Sequence, residues 1–156
     1  MPDLIMLDLY GTLVNAFKKD NTPRKGIYSF LEKNKSKKVI VTDDPCKDYV
    51  KSILSEQGIL DHFAEIYTGE DLIAIKNYRG KRKDLARICS LFAVAASQAV
   101  FIGDGERDRL DAKREGVKFI HLPKYLENNE PFSFELVSLP ENPKNYLDLR
   151  RINYLF

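Results

Sequence analysis

Three carboxylates stand out by where they fall in the chain. Asp8 closes the apolar run Leu4-Ile5-Met6-Leu7, and the chain breaks three residues later at Gly11. Asp104 follows the apolar run Ala99-Val100-Phe101-Ile102 through Gly103, and Asp108 comes four residues after it. A charge at the end of a buried strand is costly unless a cation or hydrogen-bond donors meet it. In open α/β sheets the carboxyl ends of the strands are also where ligands bind. Taken singly, Asp8 reads equally well as a strand-capping acid, and Asp104 with Gly105 as a simple turn. Thr42 ends a further apolar run, Val39-Ile40-Val41, where its hydroxyl is either a helix cap or a donor to a ligand.

These residues need elements to carry them, and the pattern supplies alternating strands and helices. Strands are predicted at 4–7, 38–42, 64–68, 99–102 and 117–121, the first two read as buried, as in a sheet covered on both faces. Between them the three-and-four spacing predicts helices. One starts at Thr22-Pro23 and buries Ile27, Phe30 and Leu31. A second is capped by Asp44 with Pro45 at its first position, turns Tyr49, Val50, Ile53 and Leu54 inward and stops at Gly58. A third runs over 81–92 with Leu85, Ile88, Leu91 and Phe92 facing the core, and a fourth over 106–115 ends at Gly116. Residues 14–21 read as a loop or flap, and 69–80 as irregular. Strict alternation argues a parallel sheet with right-handed crossovers, a three-layer Rossmann-like α/β fold of about five strands.

From 123 to 156 the character changes. Pro123, Pro131, Pro140 and Pro143 exclude a long helix before 143, and the aromatics scattered among them read as core cover. The expected division is a core domain over 1–122 and an irregular extension over 123–156, with a short helix from Pro143.

Composition narrows the function classes. At 156 residues the chain has room for one such domain and no second large one. Twenty-five basic against 23 acidic residues leave a net charge of +2, which does not suggest dedicated nucleic-acid binding. Lys33, Lys35, Lys37 and Lys38 read as a solvated helix end. Cys46 and Cys89 lack metal-ligand spacing, and two distant histidines, His62 and His121, make no zinc site. No run approaches the roughly 20 apolar residues of a membrane span, and the N-terminus has no basic leader, so a cytoplasmic protein is expected.

Asp8-Leu9-Tyr10-Gly11-Thr12-Leu13 after a four-residue apolar run resembles the first motif of the haloacid dehalogenase-like hydrolase superfamily. Val39-Ile40-Val41-Thr42 resembles its second motif, and Gly103, Asp104 and Asp108 its fourth. The resemblance covers roughly residues 4–122. It implies a helix-borne lysine before the fourth strand, for which Lys81 is the first choice and Lys83 and Lys76 the alternatives. A receiver-type signalling domain also gathers acids, Thr and Lys around Mg²⁺, but its phosphoacceptor does not sit on the first strand before Gly-Thr.

The resemblance implies that Asp8 attacks phosphorus to form an aspartyl-phosphate, with Mg²⁺ as cofactor. Asp8, the backbone carbonyl of Tyr10, Asp104 and Asp108 would hold the cation, which neutralises the repulsion between anionic nucleophile and anionic substrate. Thr12, Thr42, Asp43 and Lys81 would surround the phosphoryl group, with Thr42 donating a hydrogen bond and Lys81 supplying positive charge.

Two departures qualify this. Tyr10 stands where the superfamily usually places an acid that serves leaving group and water, as it does in true 2-haloacid dehalogenases. A phenol, with reference pKa of about 10, is a poor general base at neutral pH. Those dehalogenases, however, need no metal and carry a helical cap after the first motif. Here Gly103-Asp104 is kept, and residues 9–37 hold only a flap and one helix. A cap-less, slow phosphatase is therefore expected. The alternative is a non-catalytic binding module that retains the metal site, with dehalogenation less favoured. Expected partners are a phosphorylated substrate, small or macromolecular, and a second copy of the chain; no membrane is expected. Lys18, Lys19, Arg24, Lys25, Arg79, Arg82 and Lys83 are candidates to flank an open mouth and draw anions to it.

Overall fold

A computed structural model describes residues 1–15, 21–74 and 81–125. Its centre is a five-stranded, all-parallel sheet in the order β3-β2-β1-β6-β7. The strands are β1 (Leu4–Leu7), β2 (Lys37–Val41), β3 (Glu65–Tyr67), β6 (Ala99–Gly103) and β7 (Lys118–His121); β4 (Ile73–Ala74) and β5 (Lys81–Arg82) form a separate antiparallel ribbon. Among the described residues four α-helices accompany them: α1 (Ile27–Lys33), α2 (Lys47–Glu56), α3 (Leu85–Leu91) and α4 (Glu106–Glu115).

The unbroken apolar strands follow from burial on both faces, because side chains alternate along a strand. Ile5, Leu7, Ile40, Val100 and Ile102 pack with Ile27, Phe30 and Leu31 of α1 and Val50, Ile53 and Leu54 of α2. Leu4, Met6, Val39, Val41 and Phe101 pack on the other side with Leu85 and Ile88 of α3 and Ala112 of α4. The result is the expected three-layer architecture, and no cap is evident among the described residues.

The chain winds outward from β1 through β2 to β3, then returns to the opposite side of β1 with β6 and β7. Strand order reverses at β1, and such a switch point opens a crevice at the carboxyl ends of the strands. The ends of β1, β2 and β6 all lead to that crevice.

The local expectations need several corrections. Helix α1 begins at Ile27, after Gly26, not at Thr22-Pro23. Residues 22–24 instead run back along the first loop: Asn15 N donates to the Thr22 carbonyl, Arg24 N to the Leu13 carbonyl (2.7 Å), and Val14 bridges Pro23. Helix α2 begins at Lys47; Asp44 Oδ1 accepts from Cys46 N at 2.8 Å, a turn completed before the helix starts. Tyr49 is half exposed rather than inward, and Leu91 is exposed at the end of α3. The helix expected over 81–92 starts only at Leu85, because Asp84 caps it by accepting from Arg87 N while Lys81 and Arg82 pair with Ala74 and Ile73. Lys38 is buried rather than solvated: its ammonium donates to the carbonyls of Asn34 and Ser36. Residues 16–20, 75–80 and 126–156 lie outside the described set, and with them Lys18, Lys19, Lys76, Arg79 and nearly all of the expected extension.

Candidate active site

β1 delivers Asp8 beside the end of β6, where Asp8 N donates to the Ile102 carbonyl at 3.0 Å. β6 delivers Asp104, and the first turn of α4 carries Asp108 back over the same point. Oxygens of the three carboxylates lie within 4.8 Å of one another. Close packing of backbone makes this convergence possible. A Cβ on Gly103 would stand 2.6 Å from Asp108 Oδ2. One on Gly11, which has φ +77, would stand 2.6 Å from Asp104 Oδ2. A side chain at either position would push one of these carboxylates aside, and at Gly11 it would also strain the backbone.

The cation among these acids is Lys83. Its Nζ donates to Asp8 Oδ1 at 3.0 Å and Asp108 Oδ1 at 2.8 Å, lies 5.1 Å from the Phe101 ring centroid, and is only 2% exposed. Lys83 is fixed from its backbone, since its N–H donates to Asp111 Oδ2 at 3.0 Å, and Asp111 Oδ1 in turn accepts from Arg114. Lys81, the first choice from sequence, does not reach the acids. It belongs to the exposed ribbon, where its ammonium donates to the Gly69 carbonyl at 3.0 Å. The lysine at the acids is the one immediately before the Asp84 cap, after the ribbon has ended.

One ammonium among three carboxylates leaves an excess of negative charge, and the proton affinities record it. Burial, then hydrogen bonding to Asp8 and its charge, pushes Asp104 up to about 6. Burial pushes Asp108 up to about 7, with the charges of Asp8 and Asp43 adding to it and Lys83 opposing. For Lys83 burial alone would weaken the bound proton, but the charges of Asp8, Asp108 and Asp43 outweigh it and hold the pKa above the ordinary value. Two like charges this close repel by roughly 3–4 kcal/mol at an effective dielectric constant of about 20. Crowded carboxylates that hold protons into the neutral range are suited to a hard divalent cation. The donor set, oxygen only, fits Mg²⁺ rather than a softer metal.

The remaining expected residues take these places. Thr12 is fully buried, its Oγ1 lying 3.4 Å from Asp8 Oδ2 and 3.3 Å from Asp104 Oδ1. Thr42 is buried at the end of β2; its Oγ1 accepts from Asp44 N at 3.3 Å, a bond that leaves the hydroxyl proton free to donate elsewhere. Asp43 is exposed, close enough for its charge to act on Lys83 and Asp108. Tyr10 Oη donates to Asp44 Oδ2 at 2.7 Å. Burial and that carboxylate raise the phenol above its ordinary pKa, so its proton is held more tightly still.

Three features escape sequence reading. Asp44 joins the tip of β2 to Tyr10 across 34 residues. His121 Nε2 lies 3.2 Å from the Asp104 carbonyl oxygen. Arg24, expected at an open mouth, is instead buried behind the first loop. Lys83, an alternative to Lys81 from sequence, is marked there only by its place directly before Asp84, a residue type that caps helix starts.

Residues 5–122 match the family model for haloacid dehalogenase-like hydrolases. A phosphoglycolate phosphatase of Pasteurella multocida (strain Pm70) is 31% identical over 94 residues, a match spanning 60% of this chain but only 40% of that relative. Among solved structures, a predicted phosphoglycolate phosphatase from Haemophilus somnus 129PT superposes with a TM-score of 0.66 at 19% identity, covering 83% of this chain and 88% of that one. A haloacid dehalogenase-superfamily hydrolase from Geobacter sulfurreducens PCA gives 0.65 at 12% identity, covering 80% and 89%. These two share the fold. With the family model spanning three quarters of its length, the chain belongs to the haloacid dehalogenase-like hydrolases.

Proposed function

We propose that this chain hydrolyses phosphate monoesters through a covalent aspartyl-phosphate on Asp8, with Mg²⁺ as cofactor. The observation that carries the proposal is the convergence of Asp8, Asp104 and Asp108 around the buried Lys83 ammonium. Asp8, Asp104, Asp108 and the Tyr10 carbonyl would hold the metal, whose charge, when bound, offsets that of nucleophile and phosphoryl group.

Asp8 Oδ2, the oxygen that Lys83 does not engage, attacks phosphorus; the ester P–O bond breaks and its electron pair leaves on the alcohol oxygen, which takes a proton from solvent, and splitting the displacement in two lowers each barrier. Lys83 holds the other Asp8 oxygen in orientation and keeps positive charge beside the phosphoryl oxygens. Thr42 donates its hydroxyl proton to one of those oxygens. Water then attacks phosphorus, releasing inorganic phosphate and restoring Asp8. General acid–base help is worth ~10²–10⁴-fold. Tyr10, engaged with Asp44, supplies little of it, so esters with good leaving groups react fastest.

The name of the Pasteurella relative supports the phosphate-ester class. The substrate, small or macromolecular, stays at that level of description, and assembly into homo-oligomers is part of the same proposal. A cytoplasmic location is proposed from the two free cysteines, Cys46 exposed and Cys89 buried. Among the described residues no helix is long and apolar enough to cross a membrane.

The Tyr10–Asp44 bond favours a second reading, a binding module that keeps the metal site without turnover. Phosphate release from an aryl phosphate, with and without Mg²⁺ and beside Asp8→Asn, decides. Release that needs both Mg²⁺ and Asp8 supports the enzyme. Mg²⁺ binding with no release across a panel of phosphate esters supports the binding module, and equal rates in all three samples reject the proposed chemistry.

A further inference from the structure

Behind the nucleophile loop lies a buried cation that the proposed chemistry does not use. Arg24 is 1% exposed. Its Nε donates to the Thr12 carbonyl at 2.7 Å, and its terminal nitrogen to the carbonyls of Gly11 at 3.0 Å and Pro123 at 2.6 Å. Its guanidinium carbon stands 4.9 Å from the centroid of the Tyr125 ring. Tyr125 makes the same connection from its own side: its backbone N–H donates to the Gly11 carbonyl at 2.7 Å, and its hydroxyl to the Pro23 carbonyl at 3.2 Å. The Gly11 carbonyl therefore accepts from both partners at once.

What is clamped this way is the wall of the site. Gly11 lies so close to Asp104 that a side chain there would displace that carboxylate, and Thr12 lies between Asp8 and Asp104. A shift of residues 11 and 12 would therefore be felt at both carboxylates. The fork matters as much as the charge. A planar guanidinium with five donors can serve three carbonyls and stack on a ring together, which a lysine ammonium on a flexible stem cannot.

We propose that Arg24 is a positioning residue for the Asp8–Thr12 loop and that residues 123–125, docked through Tyr125, complete the clamp. This rests on the phosphatase reading above. The chain after β7 then bears on the reaction: the acids keep their reactive spacing only while Pro123–Tyr125 is seated on Arg24 and Gly11. Misplacement of reacting groups by about 1 Å can cost on the order of 10²-fold in rate.

The test uses the full chain and compares wild type, Arg24→Lys, Tyr125→Ala and a core control, Ile53→Val in α2. The readouts are kcat and KM on an aryl phosphate, Mg²⁺ affinity by calorimetry, and Tm. Arg24→Lys is expected to lower kcat about 10-fold or more with KM changed less than about 3-fold, and to weaken Mg²⁺ binding. Tyr125→Ala should act in the same direction by about 3-fold or more. Ile53→Val should lose a few degrees of Tm and keep its kcat, separating positioning from general loss of stability. Folded Arg24→Lys and Tyr125→Ala with wild-type kcat and Mg²⁺ affinity would overturn the proposal. If Arg24→Lys does not fold, Tyr125→Ala decides alone by the same criterion. A wild type that binds Mg²⁺ without turnover sinks the phosphatase reading and leaves the clamp to be judged on Mg²⁺ affinity. A wild type that does neither sinks both.

Discussion

Lys38 and Lys83, both buried and at opposite ends of the sheet, differ in what surrounds the charge. Lys38, near the start of β2, is 5% exposed and donates to two backbone carbonyls, of Asn34 and Ser36. Burial, with Lys35 adding a smaller effect, lowers its pKa. Its environment makes the charge less favourable, and the carbonyls gain a donor. Lys83, past the end of β5 and 2% exposed, faces the opposite situation. It meets two carboxylates with a third alongside, and its proton is held more tightly than usual. Carboxylates crowd one of these lysines and not the other, and the proposed cation site rests on that difference.

The contrast breaks most visibly at Asp8. Asp8→Asn should abolish turnover, by on the order of 10⁴-fold or more, because a neutral amide replaces the attacking carboxylate. A residual rate near wild type in an aryl phosphate assay would remove Asp8 from the chemistry. Next come the lysines themselves. Lys83→Met strips the counter-charge from buried carboxylates and should destabilise the metal-free protein by about 3–5 kcal/mol in urea unfolding. It should also cut turnover by roughly 100-fold or more. Lys38→Met leaves carbonyls short of a donor, which costs about 1–3 kcal/mol, and should leave turnover unchanged. Equal effects of the two substitutions on activity would erase the distinction.

Tyr10→Asp sharpens the account at the rim. If missing acid–base help limits the rate, hydrolysis of an alkyl phosphate should rise about 10-fold or more. The new carboxylate would face Asp44, so the gain should be larger in combination with Asp44→Asn, which removes that charge. No gain in either folded variant would show that Tyr10 is not limiting.

The smallest expected effect is on stability against pH. Asp104 and Asp108 hold their protons up to about 6 and about 7 in the folded, metal-free state, against about 3.9 for an unfolded Asp. Between pH 4 and 7 the native state thus binds more protons than the unfolded one. Their contribution is fully present below the unfolded value and is lost as pH rises through the folded ones. The metal-free protein should melt a few degrees higher at pH 5.5 than at pH 8. Asp108→Asn should flatten that slope, and Mg²⁺ at pH 8 should restore Tm. A slope that survives in Asp108→Asn and Asp104→Asn would place its origin elsewhere.

Much of this arrangement is legible in the sequence because apolar runs buried on both faces end abruptly in polar residues. Asp8, Thr42 and Asp104 follow directly from the ends of β1, β2 and β6, and Asp108 from one turn of α4. The lysine is harder. Lys76, Lys81 and Lys83 crowd one short stretch, and only the pairing of β4 with β5 and the Asp84 cap decide where the helix starts. Arg24 and the Tyr10–Asp44 bond are not legible at all. Their partners lie 13, 99 and 34 residues away, and no local pattern marks contacts made across the fold. For the same reason Thr22-Pro23 imitates a helix start: its course depends on the bond from Asn15 N to the Thr22 carbonyl and on the bridge between Val14 and Pro23.

The central claim, that carboxylates from two distant stretches cage one divalent ion beside the attacking oxygen, is tested most directly by a crystal structure in excess Mg²⁺ with a phosphate mimic. The ion should be bound by oxygens of Asp8 and Asp104, at about 2.0–2.1 Å, with the mimic against Asp8 and within reach of Lys83 and Thr42. An empty site under those conditions, with Asp8 and Asp104 turned apart, would contradict it.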